Sequence, residues 1–518
     1  MNSIKLLWAD DEIDLLKPQI LFLKDKGYAV TPVTNGQDAV DKIEAESYDI
    51  VFLDEQMPGL SGLEALAKIK AIKPHTPVVM ITKSEEENVM EDAIGSKISD
   101  YLIKPVNPNQ ILLSIKKLLK QSDLISEKST SNYQRAFSQI SMDLMDVDSL
   151  DGWKEIYNKL VYWEMELENS NDPNIAEILQ MQKSEANKAF SKFVKNDYES
   201  ILNESLENDE FILSHNLMKT KIFPELEDNI PVFVVLIDNL RFDQWKTLSP
   251  IINKYFTQEE EDLILSIIPS TTHYSRNSIF AGLMPADIEK KHPEYWLNDE
   301  DSGGKNQYEA ELLAAQLKRA VSKPVKSSYH KIYDYEFAKK VNNKINNLLQ
   351  NDLNILVYNF VDMLSHARTD VDVIKELAND EKAYRNVTKS WFENSPLLDL
   401  LKEISEKKCK VIFITDHGTI RVKEHMKVIG DKETTTNLRY KHGRNMDYNP
   451  KQVLAATNPT DIKLPSPHIN SKYIFAMDDK FMVYPNNYNH FANYYNNTFQ
   501  HGGISLEEMI IPVVKFRS

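Results

Sequence analysis

A run of five β-branched or aromatic residues, Val411 to Thr415, stands directly before Asp416-His417-Gly418. A short run of this composition predicts a buried strand of a parallel sheet. The acid and the imidazole then fall at the carboxyl end of that strand, where open α/β sheets hold their ligands. Both groups are also metal ligands. The sequence therefore favours an α/β fold with a ligand site at this strand end.

Two further runs of the same kind occur in the carboxyl-terminal part of the chain. Pro231–Ile237 ends at Asp238, and Asn354–Val361 ends at Asp362. Parallel strands bring their carboxyl ends to one edge of a sheet. We therefore expect the two acids to meet Asp416 and His417 at that edge.

Hydroxyl groups and a second histidine accompany these acids. A strand predicted over Leu263–Ile268 leads into the hydroxyl-rich turn Pro269–Thr272. His366 stands four residues after Asp362, and this spacing places both side chains on one face of a helix. That geometry suits a single cation.

A third histidine, His501, is predicted on a loop just before a helix, because Ser505 and Glu508 fit a capping box. Acids and histidines gathered in this way would make a poor apolar core. Mixed oxygen and nitrogen ligands point to Zn²⁺ or Mn²⁺ rather than Ca²⁺. The sequence therefore predicts a transition-metal site.

Most of residues 230–518 resembles the alkaline phosphatase superfamily and, within it, the PglZ group. The motifs that carry the resemblance are Pro269–Thr272 with Gly282 and Pro285, Thr415–Gly418, and His501–Gly503 with Ser505–Glu508. The resemblance implies two zinc ions, one held by Asp238, Thr272, Asp416 and His417, the other by Asp362, His366 and His501. It also implies a phosphodiesterase with Thr272 as nucleophile, acting on nucleotides or on linear or cyclic oligonucleotides. Thr271 is the alternative to Thr272, and His442 the alternative to His501.

Residues 1–121 alternate short apolar runs with amphipathic helical patterns. Strands are predicted at Ile4–Ala9, Ala29–Val33, Ile50–Leu53, Val78–Ile81 and Tyr101–Ile103, and a last helix over Asn107–Leu119. Five such units predict a doubly wound, five-stranded parallel sheet. Polar residues follow its strands at Asp10, Asp11, Asp54, Thr82 and Lys104. Three converging carboxylates repel one another unless a hard cation joins them, and oxygen ligands favour Mg²⁺.

These residues resemble a flavodoxin-like receiver domain of two-component response regulators. The matching motifs are Ala9–Glu12, Leu53–Gly59 with Gly62, Thr82 and Lys104-Pro105. The resemblance implies phosphorylation of Asp54 by a sensor histidine kinase and a phosphorylation-promoted homodimer. It further implies Mg²⁺ held by Asp10, Asp11, Asp54 and Gln56, a phosphoryl contact from Lys104, and a switch pair of Thr82 and Tyr101.

Residues 122–215 show helical spacing of apolar residues and contain one glycine, Gly152, and one proline, Pro173. We expect about three antiparallel helices here. The chain would then be an α/β multidomain protein with a receiver (1–121), a helical-bundle linker (122–215) and an alkaline-phosphatase-like α/β domain (216–518). This order resembles regulators tied to type IX protein secretion, which implies a secretion-system component or a sigma factor as partner.

Composition limits the classes of function. The formal net charge of −17 argues against a general nucleic-acid coat, and no basic recognition helix stands out. No apolar run approaches the roughly 20 residues of a membrane span. The single cysteine, Cys409, excludes a disulfide framework. We therefore expect a cytoplasmic protein without membrane insertion.

Three functions stay open on the sequence. The first is a phosphorylation-controlled metallophosphodiesterase, and the second is a signalling adaptor with a structural metal site that acts by protein–protein binding. Direct transcription control is the third, and the acidic balance counts against it. A basic segment either forms a solvated loop or binds phosphate oxygens; it carries Arg421, Lys423, His425, Lys427, Arg439, Lys441, His442 and Arg444.

Overall fold

The computed structural model describes residues 4–74, 76–83, 98–168, 173–227, 230–370, 380–431 and 433–518. The chain divides into two compact units, Met1–Asn132 and Tyr133–Ser518. No helix among the described residues is both long and apolar enough to cross a membrane.

The first unit contains a five-stranded parallel sheet with strand order β2-β1-β3-β4-β5. Its strands are β1 (Lys5–Ala9), β2 (Ala29–Val33), β3 (Ile50–Asp54), β4 (Val78–Thr82) and β5 (Asp100–Ile103). Helices cover Lys17–Asp25, Gly36–Ala45 and Gly62–Ile72, and a 3₁₀ turn covers Ile13–Leu16. The three central strands, β1, β3 and β4, are largely buried apolar runs, and the predicted flavodoxin-like receiver fold is confirmed. The helix predicted between β4 and β5 lies outside the described residues.

The last helix of the receiver pattern is longer than predicted. It runs from Pro108 to Asp146 without a break, so its predicted end at Leu119 is wrong. Neither glycine nor proline occurs between Asn109 and Asp146, and such residues are the usual signals that end a helix. The domain boundary predicted after residue 121 therefore falls inside one helix.

Two further helices complete the predicted helical bundle, Leu150–Glu166 and Pro173–Glu207. The Ser149 side chain caps the first of them by accepting a hydrogen bond from the Gly152 backbone N–H. Trp153 packs edge-to-face on Phe190, with ring centroids 5.4 Å apart, and so joins the two helices through buried aromatic rings.

A six-stranded sheet organises the rest of the second unit, with strand order β7-β18-β10-β6-β9-β8. Its strands are β6 (Val232–Ile237), β7 (Thr257–Leu265), β8 (Ser327–Ile332), β9 (Leu353–Tyr358), β10 (Lys410–Ile414) and β18 (Ile510–Arg517). Strands β10, β6, β9 and β8 are parallel, whereas β18 is antiparallel to both β10 and β7. The strand predicted over Leu263–Ile268 is therefore misplaced: β7 begins earlier, ends at Leu265 and pairs only with β18 within the sheet.

Helices and small sheets surround this central sheet. The helices are Phe242–Ile252, Asn277–Ala281, Pro285–Lys291, Glu309–Ala320, Tyr335–Asn342, Ile345–Leu348, Phe360–Asp370, Glu381–Glu393, Pro396–Ser405, Tyr488–Tyr495 and Leu506–Met509. Short π and 3₁₀ segments are Met218–Ile222, Phe223–Glu225, Thr272–Arg276, Pro293–Tyr295 and Pro459–Ile462. The smaller sheets use β11 (Ile420–Arg421), β12 (Glu424–Lys427), β13 (Tyr440–Gly443), β14 (Val453–Ala456), β15 (Lys472–Ala476), β16 (Lys480–Val483) and β17 (Phe499–Gln500).

Candidate metal centre and nucleophile

Three neighbouring parallel strands bring the predicted acids to one sheet edge. Strand β6 lies between β10 and β9, in register over its whole length. Asp238 follows β6 directly, Asp416 follows β10 after one residue, and Asp362 lies in the first turn of the helix after β9. The parallel pairing of these three buried strands therefore brings the acidic side chains together.

The first cluster contains Asp238, Asp416 and His417, whose ligand atoms all lie within 4.8 Å of one another. Thr272 joins it: its Oγ1 lies 3.2 Å from Asp238 Oδ1 and 3.1 Å from His417 Nε2. His417 Nδ1 lies 3.0 Å from the Gly418 carbonyl oxygen and donates to it, which leaves the lone pair on Nε2. That lone pair faces the threonine hydroxyl.

The turn that carries the threonine settles which of the two hydroxyls reaches the acids. Thr272 begins the π-helical segment Thr272–Arg276. Thr271 is buried, and its Oγ1 has no hydrogen-bond partner among the described residues. The geometry thus favours Thr272 over Thr271 as the hydroxyl of the site.

The second cluster contains Asp362, His366 and His501, again within 4.8 Å. Asp362 Oδ1 lies 3.5 Å from His366 Nε2 and 3.6 Å from His501 Nε2. The rings of His417 and His501 stack with centroids 4.4 Å apart, so the two clusters adjoin. His442 instead stacks on Tyr473, 4.3 Å between centroids, outside both clusters.

Burial and mutual repulsion shift the protonation of these acids. Burial, together with the charge of Asp238, raises the pKa of Asp416 well above its usual value and that of Asp362 to about 6. Burial also opposes the charge on Asp238, but Arg276 and His417 outweigh it and lower the pKa of this acid. The carboxylates of the pocket therefore carry more negative charge than the positively charged side chains around them can neutralise.

A divalent cation fits this excess of carboxylate. Asp416 Oδ2 is buried and has no hydrogen-bond donor among the described residues. Burial holds the pKa of His501 well below its usual value, so the ring is neutral and can act as a ligand. Carboxylate and neutral imidazole together form a donor set suited to Zn²⁺.

Sequence reasoning missed two side chains that shape the pocket. Arg276 Nη1 lies 2.7 Å from Asp238 Oδ2 and 3.8 Å from Asp416 Oδ2, entirely buried. Asn239 has a positive φ of 62° and donates through Nδ2 to Asp362 Oδ1, 3.3 Å away. The position of Arg276 four residues after Thr272 was the available signal, because that spacing shares a helix face.

The basic segment does not face the pocket as one group. Arg439 is buried and forms a bidentate pair with Glu508, and Arg444 pairs with Glu433. Lys441 is buried and donates to the Thr435 carbonyl oxygen. Arg439 and Lys441 are therefore not part of a solvated loop, whereas the pair of Arg444 and Glu433 is exposed to solvent.

The receiver unit holds a separate cluster of Asp10, Asp11 and Asp54, with ligand atoms within 4.8 Å. Lys104 Nζ lies 2.9 Å from Asp10 Oδ2 and 3.0 Å from Asp54 Oδ2. Burial raises the pKa of Asp54 to about 6, against the opposing effect of Lys104. An all-oxygen donor set of this kind fits Mg²⁺.

The remaining predicted receiver residues surround this cluster. Thr82 is buried and its hydroxyl hydrogen-bonds to the Glu55 carboxylate. Tyr101 lies on β5 next to β4, half-buried, and Gln56 is exposed on the loop after β3. The structure thus places Thr82 and Tyr101 on adjacent strands.

Comparison with known proteins gives three family matches along the chain. Residues 217–516 match the BREX system PglZ alkaline phosphatase-like domain. Residues 123–202 match the PorX response regulator linker domain, and residues 6–116 match the response regulator receiver domain. The expected order of receiver, linker and PglZ domain is therefore confirmed.

Curated relatives match the receiver end of the chain. The transcriptional regulatory protein ResD of Bacillus subtilis is 30% identical over 145 residues, which is 27% of this chain and 60% of that protein. The alkaline phosphatase synthesis transcriptional regulatory protein PhoP of the same organism is 29% identical over 142 residues, 27% of this chain and 58% of its own length. The matches thus span less than two thirds of these relatives.

Solved receiver structures are similar to the same region. A CheY-like receiver domain protein from Methanospirillum hungatei is 27% identical and covers 24% of this chain and 98% of its own, with a TM-score of 0.23. A two-component response regulator from Clostridium difficile is 29% identical and covers 23% and 97%, with a TM-score of 0.22.

Proposed function

Because the chain belongs to the PglZ alkaline phosphatase-like family, we propose that its output is a zinc-dependent phosphodiesterase controlled by phosphorylation of Asp54. The receiver match makes the chain a response regulator with a phosphatase-like domain. The observation that carries the enzymatic proposal is the position of Thr272 Oγ1 beside Asp238 and His417, next to a second cluster of ligands.

Two zinc ions would be held by the residues of the two clusters. Asp238, Thr272, Asp416 and His417 would hold one, and Asp362, His366 and His501 the other. When bound, the ions acidify the threonine hydroxyl and polarise the phosphoryl oxygens. Mn²⁺ suits the same donors.

The protein's own residues then carry out an in-line displacement. Asp238 and His417 orient the Thr272 hydroxyl, and its proton passes to Asp238 Oδ1 as Oγ1 attacks the phosphorus. The ester oxygen departs with the proton from Asp238, and the remaining phosphate is a diester that joins Thr272 Oγ1 to the other alcohol of the substrate. Water then attacks that phosphorus, a proton passes to Thr272 Oγ1, and the product leaves as a phosphomonoester. Arg276 keeps Asp238 ionised and therefore able to accept the proton.

We assign phosphodiesters as the substrate class, with nucleotides and linear or cyclic oligonucleotides as the candidates. Family resemblance supports this assignment. Two cations of the basic segment, Arg439 and Arg444, are paired with acids, so neither is free to hold the doubly charged end of a monoester.

In the receiver, a sensor histidine kinase would phosphorylate Asp54, with Mg²⁺ on Asp10, Asp11, Asp54 and Gln56. Lys104 would contact the phosphoryl oxygens, and Thr82 with Tyr101 would report its presence. Phosphorylation would promote a homodimer. The match to the PorX linker domain supports a role tied to type IX secretion, with a secretion-system component or a sigma factor as partner.

A signalling adaptor with a structural metal site is the second candidate function. Buried contacts join the helical bundle to the PglZ-like domain, so a partner bound to one of them could act on the other without turnover. Among the described residues Lys183 is buried between Glu164, at 2.7 Å, and Glu507, at 3.6 Å.

Substitution at the two adjacent threonines tests the enzymatic proposal. We expect Thr272→Ala to lower hydrolysis of a chromogenic phosphodiester at least about 1000-fold with zinc content retained. Thr272→Ser should keep measurable turnover, and Thr271→Ala should stay near wild type. An active Thr272→Ala protein would show that the nucleophile is another group. Wild-type protein that binds zinc but hydrolyses no phosphoester would favour the adaptor.

A further inference from the structure

One face of the Pro173–Glu207 helix contacts both loops that carry the candidate site. Asn187, Ser191 and Tyr198 are four and seven residues apart, a spacing that aligns their side chains along one face of the helix. All three are buried. They belong to the linker by sequence, and none of them is a candidate metal ligand.

Asn187 holds the loop that carries His501. Its Oδ1 accepts a hydrogen bond from the Leu506 backbone N–H at 2.8 Å, and its Nδ2 donates to Glu507 Oε2 at 2.9 Å. Ser191 supports the same loop, because its hydroxyl donates to the Ile504 carbonyl oxygen at 3.1 Å. These buried bonds add to the isolated parallel bridge between Ile504 and Met477 in fixing the backbone of this loop.

Tyr198 holds the loop that carries the nucleophile. Its hydroxyl accepts a hydrogen bond from the Ile268 backbone N–H at 3.2 Å, four residues before Thr272. The two loops are also joined to each other: Ser270 Oγ donates to the Gly503 carbonyl oxygen at 2.9 Å and accepts from the Gly502 N–H at 3.2 Å. A displacement of this helix would therefore reach both loops together.

We propose that the Pro173–Glu207 helix is a positioning element for catalysis, in which Asn187 places the His501 loop and Tyr198 places the Thr272 loop. This inference rests on the proposed phosphodiesterase function. It gives the linker a part in assembling the site, through hydrogen bonds that a plain spacer would not need.

The same helix is bonded to the helix that leads from the receiver. Gln182 accepts a hydrogen bond from the Tyr133 hydroxyl at 3.2 Å and donates to the Phe137 carbonyl oxygen at 3.0 Å. Gln182 and Asn187 lie within two turns of each other on one helix. The linker thus links the Pro108–Asp146 helix to the loops of the candidate site by consecutive buried contacts.

Two near-isosteric substitutions separate the two loops experimentally. Asn187→Leu removes both hydrogen bonds to the His501 loop, and we expect zinc affinity at one of the two sites to fall about 10-fold, measured by competition with a fluorescent chelator. Tyr198→Phe removes one hydroxyl near the nucleophile. We expect its kcat to fall about 10-fold, with KM and zinc affinity within twofold of wild type.

Tyr157→Phe is the matched control. Tyr157 is a buried tyrosine of the same bundle, and its hydroxyl has no hydrogen-bond partner among the described residues. Its loss should change neither zinc affinity nor kcat. The unfolding midpoint of each of the three variants is measured to check that zinc affinity and kcat are compared on folded proteins.

The outcomes distinguish this inference from the proposed function. Active wild type with both variants unchanged in zinc affinity and kcat would overturn the positioning role. Wild type that binds zinc without any turnover would overturn the proposed function, while weaker zinc binding by Asn187→Leu would still support the positioning role. Wild type with neither zinc binding nor turnover would overturn both.

Discussion

The buried amine of Lys441 should make the Tyr133–Ser518 unit less stable at neutral pH than a methionine in its place. Burial lowers the pKa of Lys441 to about 7 from an ordinary value of 10.5. The unfolded chain therefore binds more protons than the folded chain between these two values. The resulting destabilisation is full below pH 7 and disappears as pH rises to about 10.5.

The magnitude follows from this pKa difference. At pH 7 the lost protonation destabilises the folded chain by about 4 kcal/mol. The amine also donates to the Thr435 carbonyl oxygen at 3.0 Å and packs 4.2 Å from the Tyr484 ring centroid, and the loss of these contacts in Lys441→Met offsets about 2 kcal/mol. The Tyr484 hydroxyl also donates to that oxygen, at 2.8 Å, so it stays satisfied. We expect Lys441→Met to gain about 2 kcal/mol at pH 7.

Urea unfolding followed by tryptophan fluorescence at pH 7 and pH 10 measures this gain. We expect the advantage of Lys441→Met to disappear by about pH 10, because the folded amine is then neutral and the unfolded amine, although still mostly protonated, is close to its own pKa. Lys427→Met, at an exposed position on β12, is the control and should change stability by less than about 0.5 kcal/mol at either pH. Lower stability of Lys441→Met at pH 7 would refute the reasoning.

Three more outcomes are expected. Gly418→Ala should lower phosphodiester turnover about 100-fold, because a Cβ there would lie 2.0 Å from the Glu507 carbonyl oxygen and displace the strand end; steady-state kinetics measures this. Ser61→Ala removes the capping box with Glu64 and should lower the unfolding free energy of the receiver unit by about 1 kcal/mol, without changing turnover. Calorimetry measures this change on the unfolding transition of the receiver unit. Chelation of zinc should abolish turnover and lower the unfolding temperature of the Tyr133–Ser518 unit, because the carboxylates of the site then repel one another. Addition of zinc should restore both.

The parts of the fold set by local composition could be predicted from the sequence. The strands ending at Asp238, Asp362 and Asp416 are short, β-branched and fully buried, so composition and burial agree. Parallel pairing then fixes where their ends meet, although the acids are far apart along the chain. Ser505 likewise caps the Leu506–Met509 helix by accepting from the Glu508 N–H, as the capping box predicts.

The features that escaped prediction depend on distant partners. The first half of β7 reads as an acidic segment, and it forms a strand because Glu259 and Glu260 pair with Arg517 and Lys515 across β18 at 3.0 and 2.8 Å. Arg276 acquires its role from acids more than thirty residues away, Asp238 and Glu309. The spacing of Arg276 from Thr272 indicates its helix face, but no local pattern identifies the distant acids with which it pairs.

The place of β18 in the central sheet affects the order in which the domains can fold during synthesis. Residues 510–517 lie between β7 and β10, and β7 has no other neighbour in that sheet. A growing chain on the ribosome cannot close the sheet until these residues have emerged from the exit tunnel. The nascent protein should consequently have a folded receiver well before it can assemble an output domain.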